Sequence, residues 1–308
     1  MRILVSGASG FIGRALCLKL KSEGLDYLGA VRKNTFIQNC VIIGEVNSDT
    51  NWNSVVNGVD IVVHTAARAH VRKDEVSDPL EEYRNVNVEG TLNLARQSAA
   101  SGVKRFIFIS SIGVNGNISK HPFSEDDEPS PVGFYAQSKW EAEQGLWNIQ
   151  RETGIEVVII RPPLVYGPGA PGNFGSLMRT IEKGIPLPLG AIHNQRSLVA
   201  LDNLIDLIMT CMKHPAAANQ VFIAGDGQDL STTELLRGLG YAMGRPARLI
   251  PVPAGLLMFG AALLGKKMVA QQLLGSLQVD ISKARELLGW VPPVSVDEAL
   301  KRSCSSLT

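Results

Sequence analysis

The sequence predicts an α/β protein built on a doubly wound parallel sheet, with a smaller α/β lobe formed mainly by the C-terminal part of the chain. Three observations lead to this prediction. Short apolar segments alternate with segments of helical periodicity through the first half of the chain. The first apolar segment ends in a glycine-rich turn that opens a helix. After Arg161 the alternation gives way to a region rich in proline and glycine, where a second lobe would begin.

The first strand, turn and helix are typical of a dinucleotide-binding Rossmann domain. Arg2 to Ser6 has the pattern of a short buried strand, and the apolar residues after the turn have helical spacing. Gly7 would permit the tight turn, Gly10 would let the backbone approach a pyrophosphate, and Gly13 would let helix and strand pack closely. The helix N-terminus would present free N–H groups to the phosphates. The cofactor-binding residues predicted here are Gly7, Gly10, Phe11, Ile12 and Gly13.

The following elements continue the alternation of strands and helices. Asp78 and Pro79 have the types expected at an N-cap and a first helical position, so a long helix should run from there to Gly102. A second long helix is expected over Tyr135–Gln150. Such alternation implies right-handed crossovers, with ligands at the carboxyl ends of the strands. The further strands are expected at Asp26–Val31, Val41–Ile43, Asp60–His64, Arg105–Ser110 and Glu156–Arg161.

The change of pattern after Arg161 also predicts a division of the chain into two domains. Residues 1–168 are expected to form the dinucleotide-binding domain, and residues 196–225 to return to it as a strand (Ser197–Ala200) and a helix (Asp202–Met212). The substrate-binding lobe would consist of residues 169–195 and 226–308. Leu249–Gly265 is the longest apolar stretch without a charge, and prolines and glycines interrupt it. We interpret it as a core or lobe helix in preference to a membrane contact.

Composition excludes several classes of function. The 30 Lys+Arg and 29 Asp+Glu residues nearly balance, so charge gives no support to nucleic-acid binding. The four cysteines are scattered, which favours free thiols in a reducing compartment such as the cytoplasm. The five histidines lack metal-ligand spacing, so we expect no metal site. Met1 leads directly into the first strand, and we therefore expect no signal peptide. We expect no membrane span, because the longest uncharged apolar stretch falls short of a spanning helix.

Three residues predict a site that exchanges a hydride and a proton at a substrate oxygen. Ser111 follows the fifth strand, and Tyr135 and Lys139 share one face of the second long helix. Of the five tyrosines, only Tyr135 has a lysine at that spacing. A tyrosinate that works near neutrality needs its pKa lowered by about three units, or about 4 kcal/mol. The ammonium of Lys139 and a cationic nicotinamide would lower it, and Ser111 would orient the reacting oxygen.

These motifs, in this order along nearly the whole chain, resemble those of the extended short-chain dehydrogenases/reductases, which include nucleotide-sugar epimerases, reductases and dehydratases. The resemblance implies that Ser111, Tyr135 and Lys139 are catalytic and that Lys139 also binds the nicotinamide ribose. It implies that Asn87 steadies the backbone near the active site and that Arg196 pairs with the substrate diphosphate. It further implies cofactor contacts at Ala66, Ala67, Arg68, Asn87, Pro162 and Val165, and substrate contacts at Asn173 and Phe174 beside those of Ser111 and Tyr135.

Three departures from the family pattern bear on the activity. Arg32 and Lys33 follow the second strand where NAD-specific relatives carry an acid, which favours NADP(H) over NAD. No Asp-Glu pair follows Ser111, so the resemblance makes sugar dehydration improbable. Gln271-Gln272 stands about where relatives carry an arginine that touches the nucleotide.

The sequence leaves several functions open. Our leading hypothesis is NADPH-dependent reduction of a UDP-4-keto-hexose. It depends on Arg32 and Lys33, because a reductase must exchange its cofactor and commonly draws on the phosphorylated pool. The main alternative is a UDP-hexose 4-epimerase with tightly bound NAD. A non-catalytic dinucleotide-sensing protein and a reductase of non-nucleotide ketones are further alternatives, and the resemblance suggests a polysaccharide pathway. The resemblance also implies a homodimer through the helices Asp78–Ser101 and Tyr135–Gln150. Trp140 and Trp147 would either form its seam or pack on the sheet instead.

Overall fold

The structure is a computed structural model that describes residues 1–34, 37–69, 78–265 and 267–304. The strands are β1 (Arg2–Ser6), β2 (Asp26–Val31), β3 (Cys40–Ile42), β4 (Ile61–His64), β5 (Arg105–Ile109), β6 (Glu156–Arg161), β7 (Leu164–Tyr166), β8 (Arg196–Ala200), β9 (Gln220–Ile223) and β10 (Asp229–Leu230). The helices are α1 (Phe11–Ser22), α2 (Asn53–Val56), α3 (Pro79–Arg84), α4 (Gly90–Ala100), α5 (Phe134–Thr153), α6 (Gly172–Glu182), α7 (Leu201–Lys213), α8 (Thr232–Ala242), α9 (Ala254–Leu263), α10 (Lys267–Leu274), α11 (Ser282–Leu288) and α12 (Val296–Cys304).

Seven parallel strands form the central sheet in the order β3-β2-β1-β4-β5-β6-β9. The predicted doubly wound Rossmann sheet is confirmed. Alternate residues of each strand enter the two hydrophobic cores on its two faces, as the pleat requires, and β5 is buried along its whole length. The strand order reverses between β1 and β4. The carboxyl ends of these two strands therefore flank the crevice where ligands bind in such sheets.

The glycine turn after β1 lies at this reversal point. Gly7 has φ +73°, a conformation that glycine adopts without strain. A Cβ on Gly13 would lie 2.3 Å from the carbonyl oxygen of Gly7 and 2.7 Å from the hydroxyl of Thr65. Only glycine therefore lets α1 pack this closely on the turn and on the end of β4.

The long helix expected after Asp78 forms in three parts. Asp78 caps α3 by accepting a hydrogen bond from the Glu81 N–H at 3.1 Å, and Pro79 is the first helical residue. A π-helical segment, Asn85–Glu89, joins α3 to α4. Such segments insert one residue into the helical repeat and occur frequently at functional sites.

The C-terminal lobe contains a second, three-stranded sheet in the order β10-β8-β7. The segment 196–225, expected to return to the dinucleotide-binding domain, is shared between the two sheets. Strand β8 pairs with β7 and β10 instead of joining the main sheet. Helix α7 packs in the main core, and β9 becomes the seventh strand beside β6. The domain boundaries stay a prediction.

The apolar stretch Leu249–Gly265 forms α9 and the segments on either side of it. Leu257 packs against the hydrophobic core of the lobe, in agreement with a lobe helix. None of the ten residues of α9, all within the described ranges, is buried. In the described part of the chain, no helix has both the length and the apolar composition needed to cross a bilayer.

Candidate active site

The loop after β5 places Ser111 beside the first turn of α5. Ser111 caps a short 3₁₀ turn, Ile112–Val114, and its Oγ accepts a hydrogen bond from the Gly113 N–H at 3.1 Å. A Cβ on Gly113 would lie 3.3 Å from the Cβ of Ala136. Because Ala136 is the neighbour of Tyr135, this packing brings the hydroxyl-bearing turn and the phenol to one region at the carboxyl end of the sheet.

Tyr135 is half-buried, and its ring meets Tyr83 of α3 edge-on with 6.4 Å between ring centroids. Burial, aided by Tyr83, raises the pKa of Tyr135 to about 12. The sequence predicts the opposite direction for this pKa, because the Lys139 ammonium and a cationic nicotinamide would place positive charge beside the phenol. The protein residues alone therefore do not supply that lowering. The cationic nicotinamide ring is the other source of positive charge that the chemistry offers.

Lys139 lies one turn further along α5, and its side chain is 1% exposed. The ammonium nitrogen is 4.1 Å from the centroid of the Phe108 ring, within the range of a cation–π contact. Burial lowers the pKa of Lys139 to about 7, although the neighbouring Glu143 carboxylate acts in the opposite direction. The lysine is thus poised to change its charge near neutral pH.

This lowered pKa predicts how stability depends on pH. Between pH 7 and pH 9 the unfolded chain holds the Lys139 proton, whereas the folded chain releases it. We therefore expect this lysine to make the protein more stable as pH rises through that window, by more than about 1 kcal/mol. Urea titrations of the wild type and of Lys139→Met at pH 7 and pH 9 measure this contribution. An equal change with pH in the two proteins would contradict it.

A buried ion pair behind Lys139 is the largest feature that the sequence analysis missed. Glu143, fully buried on α5, accepts hydrogen bonds from Arg161 Nη2 at 2.6 Å and from Ser110 Oγ at 2.5 Å. Arg161 also donates from Nη1 to Asn115 at 3.0 Å. The network ties α5 to the ends of β5 and β6. A signal for it was present, because Glu143 continues the spacing of Tyr135 and Lys139 by one further helical turn.

Asn87 connects the cofactor side of the site to α5. It is fully buried in the π-helical segment. Its amide accepts from the Arg68 N–H at 2.8 Å and donates to the Arg68 carbonyl at 3.1 Å and to Ser138 Oγ at 2.9 Å. The loop that carries Ala66 and Ala67 is thereby fixed relative to the helix of Tyr135. The predicted role of Asn87 in steadying the backbone has a physical basis in these contacts.

The glycine turn has the properties that a dinucleotide requires. Within the described ranges, no side chain caps the N-terminus of α1, which carries Phe11 and Ile12, and its first turn has no acidic residue. Its N–H groups thus point into the crevice with partial positive charge. Among the described atoms, a Cβ on Gly10 would meet only the Gly7 carbonyl oxygen, at 3.1 Å. Gly10 therefore leaves the backbone open to a ligand, and the residues present fit a dinucleotide.

Arg32 and Lys33 follow β2, next to the glycine turn. The N–H groups of Gly7 and Ala8 both donate to the carbonyl of Ala30 near the end of that strand. Both cations are exposed, and Arg32 Nη1 lies 3.6 Å from a carboxylate oxygen of Glu45. Their place beside the glycine turn is where the sequence predicts a contact to the cofactor ribose, and that contact stays a prediction. An exposed cation already beside a carboxylate is weak support for a 2′-phosphate.

Arg196 is half-buried at the start of β8. Its Nη1 donates to the carbonyls of Gln272 and Gly275 at 2.7 and 3.1 Å, and burial lowers its pKa. It is thus held against the end of α10 and does not resemble an ordinary solvated surface arginine. Gln271 and Gln272, noted as a departure from the family pattern, lie on α10 itself.

Of the remaining predicted site residues, some lie next to Ser111 and others pack in the hydrophobic cores. The Pro162 carbonyl accepts the Ile112 N–H at 3.0 Å, next to Ser111, and Val165 on β7 packs against the main core. Phe174 is fully buried and packs on Tyr166 in the core of the lobe, so the structure does not bring its ring to the site. Asn173 lies on α6, and its side chain is outside the described residues.

Two cavities border the described residues, one of them far from Ser111 and Tyr135. A cavity of about 400 Å³, bordered by Met1, Lys104 and Glu156, lies at the opposite edge of the sheet, away from the chemistry. A second, of about 320 Å³, lies between Ile118, α9 and the end of α10. All four cysteines are free. Among the residues that the structure describes, no cluster of three or more potential metal ligands is found.

Comparison with known proteins agrees with this geometry. The sequence model described as "NAD dependent epimerase/dehydratase family" matches residues 3–225. A UDP-glucose 4-epimerase of Vibrio cholerae is 46% identical over 99% of this chain and 94% of its own length. An N-acetyl-alpha-D-glucosaminyl-diphospho-ditrans,octacis-undecaprenol 4-epimerase of Escherichia coli O157:H7 is 30% identical over 98% of this chain and 93% of its own.

A solved structure extends the similarity to the fold. The structure of a Thermotoga maritima UDP-glucose 4-epimerase with UDP-glucose superposes with a TM-score of 0.79 at 25% identity, covering 100% of this chain and 98% of that one. The predicted resemblance to the extended short-chain dehydrogenases/reductases is confirmed, as is the expectation of an enzyme. The chain belongs to the NAD-dependent epimerase/dehydratase family of nucleotide-sugar enzymes.

Proposed function

We propose that this protein is a C4 epimerase of a UDP-hexose that works with bound NAD. The observation that carries the proposal is the convergence of Ser111, Tyr135 and the buried Lys139 beside the carboxyl end of β5. Only β4 separates this strand from β1 and its glycine turn. The 46% identity to a UDP-glucose 4-epimerase supports this activity over the other members of the family.

Each of the three residues has a separate task in this proposal. Tyr135 takes the proton of the sugar 4-hydroxyl and returns it to the same oxygen after the 4-keto sugar has turned its opposite face to the cofactor. Lys139 binds the cofactor ribose and supplies positive charge near the phenol, while Ser111 holds the reacting oxygen. A bound NAD would supply the hydride acceptor for C4. Arg196 pairs with the substrate diphosphate through its second guanidinium edge.

The comparisons favour this epimerase over our leading hypothesis from sequence, the NADPH-dependent reductase. That hypothesis depended on Arg32 and Lys33, and Arg32 already has Glu45 beside it. An epimerase returns the hydride to the sugar in each turnover, so its cofactor ends each cycle oxidised and need not be exchanged. We therefore propose NAD in place of the NADP(H) that the sequence favoured.

The experiment that tests this function uses the purified protein with UDP-glucose and no added cofactor. We expect UDP-galactose to form, together with stoichiometric NAD in the mass spectrum of the denatured protein. NADP in that spectrum, or product only after NADPH is added to a 4-keto sugar, would restore the reductase. A Tyr241→Phe variant, altered at an exposed tyrosine of the lobe, serves as the matched control for handling and cofactor content.

A second candidate is the same reaction on a sugar diphosphate whose carrier is a lipid. The Escherichia coli relative is named for such a substrate. The observation that favours it is the cavity next to Arg196, whose lining is mostly apolar and includes Ala254, Met258 and Leu274. Turnover of an undecaprenyl-diphospho-sugar in detergent, at a higher kcat/KM than UDP-glucose, would establish this candidate.

We also propose that the protein is a homodimer through α4 and α5. Trp140 and Trp147 are half-buried on α5, and Trp147 also packs towards the main core. Trp147 therefore contacts the core on one side and leaves part of its ring free for a dimer contact. A light-scattering mass equal to one chain would exclude the dimer.

A further inference from the structure

The outer side of α9 is an exposed apolar surface, which we call the α9 face. Its members are Leu256, Phe259, Leu263 and, just beyond the helix, Leu264, each between 64% and 74% exposed. The first three recur at helical spacing and therefore share one side of the helix. Leu257 on the other side packs on the core of the lobe. Exposed apolar side chains grouped in this way mark an interaction surface.

The α9 face lacks the polar residues that a solvent-facing helix normally carries. From Leu249 to Gly265 the sequence has no charged, amide or hydroxyl side chain. Ile250, which precedes the helix, is 50% exposed and extends the apolar surface. A helix of a monomeric protein usually presents polar residues to water, so this surface is expected to be covered in the cell.

The charges in the sequence segment that contains α9 all have one sign. Between Glu234 and Asp280 the sequence has no acidic residue and five basic ones: Arg237, Arg245, Arg248, Lys266 and Lys267. Arg245 and Arg248 are exposed in the segment that leads into α9. The whole chain has a formal net charge of only +1, so this region is locally basic against an otherwise balanced background. Such a region is complementary to an anionic surface.

This charge pattern discriminates between two possible occupants. A second copy of the chain docked through α9 would bring two basic regions together without acidic partners. An anionic bilayer would instead place its phosphates beside the cations and its acyl chains beside the leucines. We propose that the α9 face docks on an anionic phospholipid surface, with the helix lying in the plane of the interface.

The cavity beneath α9 lies close to Arg196, the residue proposed to pair with the substrate diphosphate. Ala254 and Met258 of α9 line it on one side, and Gly275 lines it on another. The carbonyl of Gly275 accepts a hydrogen bond from Arg196. Docking through the α9 face would thus hold the diphosphate side of the site close to the membrane. The proposal does not depend on the proposed epimerase activity, and it is tested separately from it.

The test is sedimentation of the full-length protein with sucrose-loaded vesicles of phosphatidylethanolamine and phosphatidylglycerol at 3:1. We expect binding to these vesicles, with at least about tenfold weaker binding to pure phosphatidylcholine and in high salt. Leu263→Glu should lower the partition coefficient by at least about tenfold. Leu18→Glu, at a 60% exposed leucine of α1, is the matched control and should bind like the wild type.

Three results would overturn the docking proposal, and a fourth would bear only on the proposed function. Equal loss of binding in Leu263→Glu and Leu18→Glu would overturn the proposal, as would failure of the wild type to bind anionic vesicles. A concentration-dependent dimer that Leu263→Glu dissociates would assign the α9 face to a second copy and would also overturn it. Epimerase activity in the same samples shows that the variants are folded, and its absence from every sample would affect only the proposed function.

Discussion

Replacement of Tyr135 by phenylalanine is expected to lower kcat by about 10³-fold, because the ring stays in place while the proton-transferring oxygen is lost. The variant keeps the edge-on contact with Tyr83 and should unfold at nearly the same urea concentration as the wild type. Steady-state kinetics with UDP-glucose measures the effect. Bound NAD should remain at the wild-type level, since the change removes no residue of the glycine turn.

The matched control for this prediction is Tyr241→Phe. Tyr241 is 82% exposed on α8, so removal of its hydroxyl should leave kcat within about twofold of the wild type. If Tyr135→Phe turned over as fast as Tyr241→Phe, another group would have to move the proton and the proposed role of the phenol would be wrong.

Replacement of Arg161 by methionine is expected to have the largest effect on stability. The change leaves the Glu143 carboxylate buried without its ionic partner, and removal of one partner of such a pair costs about 3–5 kcal/mol. Because Glu143 lies one turn from Lys139, activity should fall as well. Equilibrium urea unfolding gives the change in free energy.

Two further variants separate the buried charge from the lost packing. The double variant Glu143→Met, Arg161→Met removes both charges and should recover much of the lost stability. Arg84→Met breaks the exposed pair with Glu141 and should cost no more than about 1 kcal/mol. A cost for Arg161→Met as small as that for Arg84→Met would show that the buried network contributes little.

Local sequence signals were sufficient to predict six of the seven strands of the central sheet, whereas the seventh, β9, was not predicted. Strands β2 and β6 begin and end where the apolar runs predicted, because a strand covered on both faces must be apolar throughout. Asp78 and Pro79 correctly predicted the start of α3, since cap and first-turn preferences depend on only a few neighbouring residues. Gly13 was interpreted correctly because close packing at the turn admits no side chain.

Features that depend on distant contacts were not predictable in the same way. Tertiary packing decides which strands pair with β8, because the sequence pattern of a strand does not specify the strands beside it. Phe174 was assigned to the substrate by analogy, whereas its ring is large enough to fill the lobe core. The Glu143–Arg161 pair joins residues of α5 and β6 whose mutual approach becomes apparent only once the sheet is assembled.

The apolar helix α9 shows a different limit of sequence reading. An uncharged stretch of this length is compatible with a buried helix and with an exposed one, because periodicity vanishes when every face is apolar. The structure separates the two by the exposure of Leu263 and its neighbours. The basic residues on either side of α9 indicate a docking surface only once the exposure of the helix is known.

The most direct test of the central claim is the fate of the hydrogen on C4 of the sugar. UDP-glucose carrying deuterium at C4 should give UDP-galactose that retains the deuterium at C4, in the absence of added cofactor and in ordinary water. Proton NMR of the product at equilibrium measures the retained label. Loss of deuterium to solvent, or no epimer at all without added NADPH, would contradict an epimerase that removes and returns one hydride within its own site.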